Sequence, residues 1–238
     1  MSTLKIQDIE IEVIKKKIKN IHLAVYPPNG RVRLAAPIQV NDESIRLFAV
    51  SKLSWIKKQQ KKFREQEREA KREYTNRESH YYQGRRYLLQ VEEGSGHAKV
   101  EIKNKKYLFI QVKPGSSREK IEKILIEWYR AQIKKQIPEL ITKWENVLGL
   151  RVKDWGVKRM KTKWGSCNPQ AGRIWLNLEL IKKRVHCLEY ILVHEMLHLK
   201  ERKHNEKFIQ NLNKFMPKWK SYKKELNDFP VQHVDWRY

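Results

Sequence analysis

Glu189-Tyr190-Ile191-Leu192-Val193-His194-Glu195-Met196-Leu197-His198, with His204 six positions further on, is the stretch from which the rest of the chain is read. Apolar residues on both sides of His194 place the segment in a buried helix. On that helix His194 and His198 stand one turn apart, so both imidazoles leave the same face and can hold one ion. Neutral imidazoles bind Zn²⁺ at ~2.0–2.1 Å, a reach that one turn provides. A third ligand at His204 leaves a fourth position for water, as a catalytic zinc site requires. Zinc lowers the pKa of that water from 15.7 to about 7. Glu195, next to a ligand, is placed to take its proton and pass it to a leaving amine. Six residues are not a whole number of helical turns, so the chain must leave the helix between Leu199 and Lys203 for His204 to swing back. No glycine eases that exit.

A bare HExxH arises by chance in roughly one chain per hundred of this size. The third histidine and the helical pattern make this occurrence far more specific than that. The alternative is a set of surface histidines on an amphipathic helix, which the apolar flanks oppose. His22, His80, His97, His186 and His233 are scattered and read as structural or solvent-facing. Lys163, Asn177, Tyr190 and Arg202 are candidates for stabilising an oxyanion beyond the metal. Imidazole ligands also accept Co²⁺, Ni²⁺ or Cu²⁺, so zinc is the expected metal rather than the one chemically allowed.

The 238 residues suffice for one large domain or two small ones with a proper core. No apolar run approaches the ~20 residues that span a bilayer. The N-terminal residues lack the apolar stretch of a secretory signal. A cytoplasmic protein with no membrane contact is expected. The cysteines, Cys167 and Cys187, are too few for a disulfide scaffold and read as reduced, structural thiols; one of them lying close to the metal is the other possibility. The formal net charge of +25, from 52 Lys plus Arg against 27 Asp plus Glu, would draw the chain toward polyanions, including nucleic acid and nucleotides. The excess is spread along the whole chain, which is equally a solvated surface. No signature of an oligomeric state is present.

Working back toward the N-terminus, a strand is expected around Ile9 to Ile14, then a hairpin of 21–26 and 31–36 about Pro27-Pro28-Asn29-Gly30. Asn41-Asp42-Glu43 caps a helix carrying Ile45, Phe48, Ala49, Trp55 and Ile56. The mixed charges from Lys57 to Glu78 read as a solvated helix or arm, or as a nucleic-acid-binding arm. Strands follow at 81–91, 98–102 and 107–112, so the N-terminal half reads as a mostly antiparallel sheet with one long helix. Pro114-Gly115 ends it. Ser116 to Glu119 is a capping box for a helix that Pro138 breaks, with a second piece from Glu139 to Leu148 and Gly149 as its C-cap. Strands at 152–167 and 173–178 flank a turn, the metal helix spans about Val185 to Lys200, and two short helices close the chain, Pro217 fitting the first turn of the second. No internal repeat is visible.

Lys161-Thr162-Lys163-Trp164-Gly165-Ser166-Cys167, Ile174-Trp175-Leu176-Asn177-Leu178-Glu179-Leu180, the Glu189–His198 stretch and His204-Asn205-Glu206-Lys207-Phe208 together closely resemble the YgjP-like metal-dependent hydrolases, zincin-like metallopeptidases similar to SprT-like proteases. The resemblance implies an α+β fold. A β-rich domain with the charged helix would occupy residues 1–113. A zincin-like, minigluzincin-type helical core on a small sheet would occupy 114–238. It implies Zn²⁺ on His194, His198 and His204, and Glu195 as catalytic base. It also implies an edge strand beside the metal helix, around Trp164 or Trp175, that pairs with an extended substrate. The third-ligand spacing equals that of metzincins, but Glu201 stands where they carry glycine and no Met-turn follows. The expected activity is zinc-dependent cleavage of a protein or peptide substrate. Two alternatives come with the family: a nucleotide pyrophosphatase acting on a substrate such as UTP, and a nucleic-acid-associated protease of SprT type. The absence of a P-loop and of a carboxylate cluster for Mg²⁺ argues against the first of these.

Overall fold

A computed structural model describes residues 2–26, 29–65, 72–160 and 163–228, the side chains of 62, 65, 227 and 228 excepted. The fold is α+β, and the described residues form two compact units, one ending at 65 and the other running from 72 to 228.

The first unit is a four-stranded sheet with two helices. Its strands are β1 (Ser2–Ile6), β2 (Ile9–Lys16), β3 (His22–Tyr26) and β4 (Arg31–Pro37), ordered β1-β2-β4-β3. The β1/β2 and β3/β4 pairs are antiparallel, whereas β2 and β4 run parallel. Alternation along β2 and β4 turns Ile11, Val13, Val32 and Leu34 onto one buried face. Ile45, Ala49 and Ile56 from α1 (Asp42–Ser51) and α2 (Leu53–Glu65) complete that core. The Asn41 side chain caps α1, accepting from Ser44 N at 2.8 Å. The single helix expected from Ile45 to Ile56 is broken at Lys52, which leaves helical geometry at φ −105°, ψ 3°. Of the charged stretch 57–78, residues 57–65 are helical and 66–71 lie outside the described residues, as do Pro27 and Pro28 of the expected hairpin turn.

The second unit opens with another four-stranded sheet. It contains β5 (Ser79–Tyr82), β6 (Arg85–Glu93), β7 (Lys99–Lys103) and β8 (Tyr107–Val112), ordered β5-β6-β8-β7. The strand expected at 81–91 is thus a hairpin, turned by Gln83 (φ 50°) and Gly84 (φ 76°). Order and pairing senses repeat those of the first sheet, with β6 and β8 parallel and the outer pairs antiparallel. Gln7 (φ 55°) turns the β1/β2 hairpin as Gln83 turns β5/β6, and a capped helix follows each sheet. The chain therefore carries a repeated topology that its sequence does not display. The expected single N-terminal sheet is two sheets, each with a parallel pair at its centre.

Helix α3 (Arg118–Leu148) runs unbroken through Pro138. Ile133, Ile137, Ile141 and Trp144 are buried on both sides of the proline, and their packing holds the helix together despite the missing N–H. Ser117, rather than Ser116, caps α3 by accepting from Lys120 N, while Ser116 Oγ donates to Lys113 O. Gly149 ends the helix at φ 63°.

Tyr87, Leu89, Leu108 and Ile110 share one core with α3 and with everything beyond it. The sheet of residues 79–112 therefore belongs with the C-terminal part of the chain, not with residues 1–65, and no division of cores falls near Pro114. A third sheet is ordered β10-β11-β9, from β9 (Asp154–Lys158), β10 (Gly165–Asn168) and β11 (Arg173–Asn177). The expected strand 152–167 is two strands on opposite sides of β11, one parallel to it and one antiparallel. A 3-10 helix (Leu178–Lys182) leads to α4 (Val185–Leu197), followed by α5 (Glu206–Phe215) and α6 (Trp219–Asp228). Among the described residues no helix is long and apolar enough to cross a membrane.

Candidate metal centre

Helix α4 is buried almost all round, and its fixed position is what the site depends on. Glu189 ties it to α3, accepting from Lys143 Nζ at 2.6 Å and Trp144 Nε1 at 2.8 Å. The β5/β6 turn fixes the entry to α4: Gln83 N donates to Ile181 O and Gly84 N to Lys182 O.

α4 ends at Leu197, three residues short of the expected Lys200. Turn bonds from Leu199 N to Met196 O and from Lys200 N and Glu201 N to Leu197 O carry the chain around. No residue from 198 to 204 has a positive φ, so the reversal needs no glycine. Glu201 is tied to the start of the next helix, where its carboxylate accepts from Asn205 Nδ2 at 3.3 Å and pairs with Lys207 at 3.3 Å. Asn205 caps α5 through Phe208 N.

The reversal brings His204 back to His194 and His198. Its Nε2 lies 3.0 Å from the Nε2 of each. Phe208, 0% exposed, lies against all three rings at centroid distances of 4.7 to 5.0 Å. In the sequence Phe208 stands out only as the last residue of the His204–Phe208 run; its place as the floor of the cluster comes from the chain reversal, which no local pattern announces.

The donor set fits a metal ion. His198 Nδ1 lies 2.9 Å from Glu201 O, which assigns its proton to Nδ1 and leaves the Nε2 lone pair facing the other two rings. Two imidazoles can share one proton between them, but a third facing nitrogen has no partner without a cation. A tetrahedral zinc ion with ~2.0–2.1 Å bonds sets its nitrogens roughly 3.3 Å apart, close to the spacing seen. Burial, then the neighbouring His198 and His204 and the charge of Lys223, hold His194 down to about 3, so its ring is neutral at physiological pH.

Glu195 points from the buried side of α4, 6% exposed, toward strand β10. Burial pushes its carboxyl up to about 7, against the opposing charge of Lys163. β10 approaches so closely that a Cβ on Gly165 would sit 2.7 Å from Glu195 Cγ and 2.8 Å from its Oε1. The glycine of the Trp-Gly-Ser-Cys run is therefore required by contact with the carboxylate. Burial and the charge of Glu195 raise the Cys167 thiol to about 11, so this cysteine lies beside the site while remaining a thiol.

The other polar candidates separate by position. The Asn177 amide is fully engaged with backbone: Nδ2 donates to Met160 O and Lys163 O, and Oδ1 accepts from Met160 N and Glu179 N. It shapes the segment before β10 and has no donor left for an oxyanion. Tyr190 is buried with its ring edge-on to His194 at 6.0 Å. Lys163 and Arg202 are exposed. Lys161 and Thr162, quoted in the sequence resemblance, lie outside the described residues.

A family model for the YgjP-like metallopeptidase domain matches residues 19–229. The chain belongs to the YgjP-like metallopeptidase family. The match spans parts of both compact units, so the family domain includes β3, β4 and both helices of the first unit as well as the histidine cluster, and leaves out β1 and β2. Membership makes the chain a metal-dependent hydrolase of the metallopeptidase class. A search of curated proteins returned no match.

Proposed function

We propose that this YgjP-like protein is a zinc-dependent peptidase in which His194, His198 and His204 hold the metal and Glu195 is the general base. The observation that carries the reading is the meeting of three imidazoles, His204 Nε2 lying 3.0 Å from the Nε2 of His194 and of His198, beside a buried carboxyl. Bound zinc supplies Lewis acidity toward a carbonyl oxygen and makes an attacking water acidic enough to lose a proton near neutral pH. Glu195 accepts that proton as the water oxygen attacks the peptide carbonyl carbon, and returns it to the nitrogen of the departing amine. Its raised affinity for protons suits both halves of the transfer, since a base near pH 7 also serves as the acid. The His198–Glu201 bond orients one ligand ring, and Phe208 fixes the planes of all three.

Substrate positioning follows from the small sheet. β11 is its centre, so the Trp175 strand has no free edge, whereas among the described residues β10 pairs on one side only. β10 also borders Glu195 through Gly165. An extended peptide adding to β10 would run along the catalytic carboxylate, and main-chain hydrogen bonds would hold it.

The test measures metal content and then assays wild type and Glu195→Gln on casein, on nucleoside triphosphates and on DNA-crosslinked protein. Both proteins are expected to bind zinc. Casein cleavage should fall ~10²–10⁴-fold in the variant, the loss expected for a general base. Nucleotide turnover with no peptide cleavage would replace this reading with a phosphohydrolase, and cleavage confined to DNA-crosslinked protein would assign the SprT-type role. Full activity in Glu195→Gln would remove Glu195 from the chemistry.

A further inference from the structure

A second group of metal-ligand side chains lies where α4 begins. His186 Nε2, Cys187 Sγ and a carboxylate oxygen of Glu225 are all within 4.8 Å of one another. Two come from the first turn of α4 and the third from α6. Cys187 is 0% exposed. His186 Nε2 lies 2.7 Å from Glu225 Oε2, and its ring is stacked on Tyr222 at 4.6 Å, one turn before Glu225. Glu225 Oε1 is buried and takes no hydrogen bond; Arg184 Nε is 3.7 Å from it.

The plain alternative is an ion pair joining two helices. An imidazole and a carboxylate suffice for that, and the stacked Tyr222 would steady it. The thiol can also donate to that carboxylate, but an ion pair between the helices needs no third ligand-type side chain, fully buried and turned to the same oxygens. Nitrogen, sulfur and oxygen donors converging from two helices match the ligand preferences of a borderline-soft divalent ion.

We propose that His186, Cys187 and Glu225 form a second metal site, for zinc or a similar thiophilic divalent cation, separate from the three-histidine cluster. The histidine binds as the neutral ring. The thiol loses its proton to solvent as the metal–sulfur bond forms. Burial and the Glu225 carboxylate push the Cys187 thiol up to about 12 against the charges of Lys183 and Arg184, so it ionises only as the ion binds, and thiolate and carboxylate together then offset the two positive charges of that ion. The partly exposed His186 and Glu225 give the ion a way in. An ion here clips α6 onto α4, the helix whose Tyr190 touches Trp219 and Tyr222 of α6 and whose next turn carries His194. Three protein ligands leave one position of the ion to water, and the existence of the site does not depend on the chemistry proposed for Glu195.

Cobalt titration followed by absorption tests it, because the three-histidine cluster contains no sulfur. A second equivalent of Co²⁺ should bind and bring a sulfur-to-cobalt charge-transfer band. The band should vanish in Cys187→Ser and persist in Cys167→Ser and His194→Ala. Glu225→Gln keeps the side-chain volume and should weaken this cobalt binding at least ~10-fold, the range lost even when residues behind the ligands are changed. One equivalent of cobalt with no sulfur band in the wild type would overturn the proposal, as would a band that follows Cys167.

Discussion

Glu195 is a carboxyl that the fold keeps largely away from water. In the metal-free protein its affinity for protons is raised from the ordinary glutamate value to about 7, chiefly by burial. The folded state therefore binds a proton more tightly than the unfolded chain does. Stability from this group is full below the unfolded value and is lost as pH rises through about 7. Replacing it with glutamine removes that dependence. Chelator-treated Glu195→Gln should be more stable than chelator-treated wild type at pH 8, by an amount on the order of 1–3 kcal/mol, and the gap should close toward pH 5. Thermal melts at the two pH values check it; an equal gap at both would show that Glu195 is not held neutral by burial. The residues proposed to carry the chemistry on α4 could be named from the sequence because helical spacing alone puts His194 and His198 together and Glu195 beside them. Gly165, Asn177 and Phe208 were not legible in their roles. Each acts through a contact with a residue remote in sequence or on the far side of a chain reversal: Gly165 against Glu195, Asn177 against Met160 and Lys163, Phe208 beneath three rings.

Elements were readable where local signals decide them and misread where packing overrides those signals. Asn41 and Gly149 end helices as their side-chain chemistry dictates. The β10/β11 hairpin follows from Asn168, whose Oδ1 accepts from Gln170 N and Ala171 N, and from Gly172 at φ 60°. Pro138 is the opposite case: a local breaker sits on the exposed side of a helix whose other side is buried from Ile121 to Trp144. The core keeps the helix continuous at the expense of one backbone hydrogen bond. Pro138→Ala should restore that bond and lose no packing. The interior-proline cost of ~3 kcal/mol, less up to ~1 for the freer unfolded chain, sets the upper bound of the gain. An increase in unfolding free energy of about 1–2 kcal/mol in a denaturant titration is expected; a decrease would mean that the proline fits a bend that α3 requires. β1 escaped the sequence reading because Ser2–Ile6 has little apolar character of its own, and its pairing with β2 defines it as a strand.

At the level of the whole molecule, two four-stranded sheets of the same order and pairing senses carry different loads. The first closes its own core with α1 and α2. The second shares a core with α3, α4 and the histidine cluster, which is why the boundary expected near Pro114 does not separate independent units. A fragment beginning at Arg72 should therefore fold cooperatively and bind zinc, whereas one beginning at Pro114 should not; circular dichroism and zinc binding on both fragments distinguish the two. The first part of the chain then supplies something other than the metal ligands. With the charge of +25, contact with a polyanionic partner is a role to assay there. The alternation of topology was invisible in the sequence because strand order is set by pairing at a distance, while composition and periodicity describe only neighbours. Function rests on one convergence, that of His204 onto the two histidines of α4. Zinc titration of Cys187→Ser protein, with and without His204→Ala, tests it most directly, since the second proposed site is then silent. The account predicts one zinc per chain in the parent and at least about tenfold weaker binding once His204 is removed. Unchanged affinity and stoichiometry in the His204→Ala protein would contradict it.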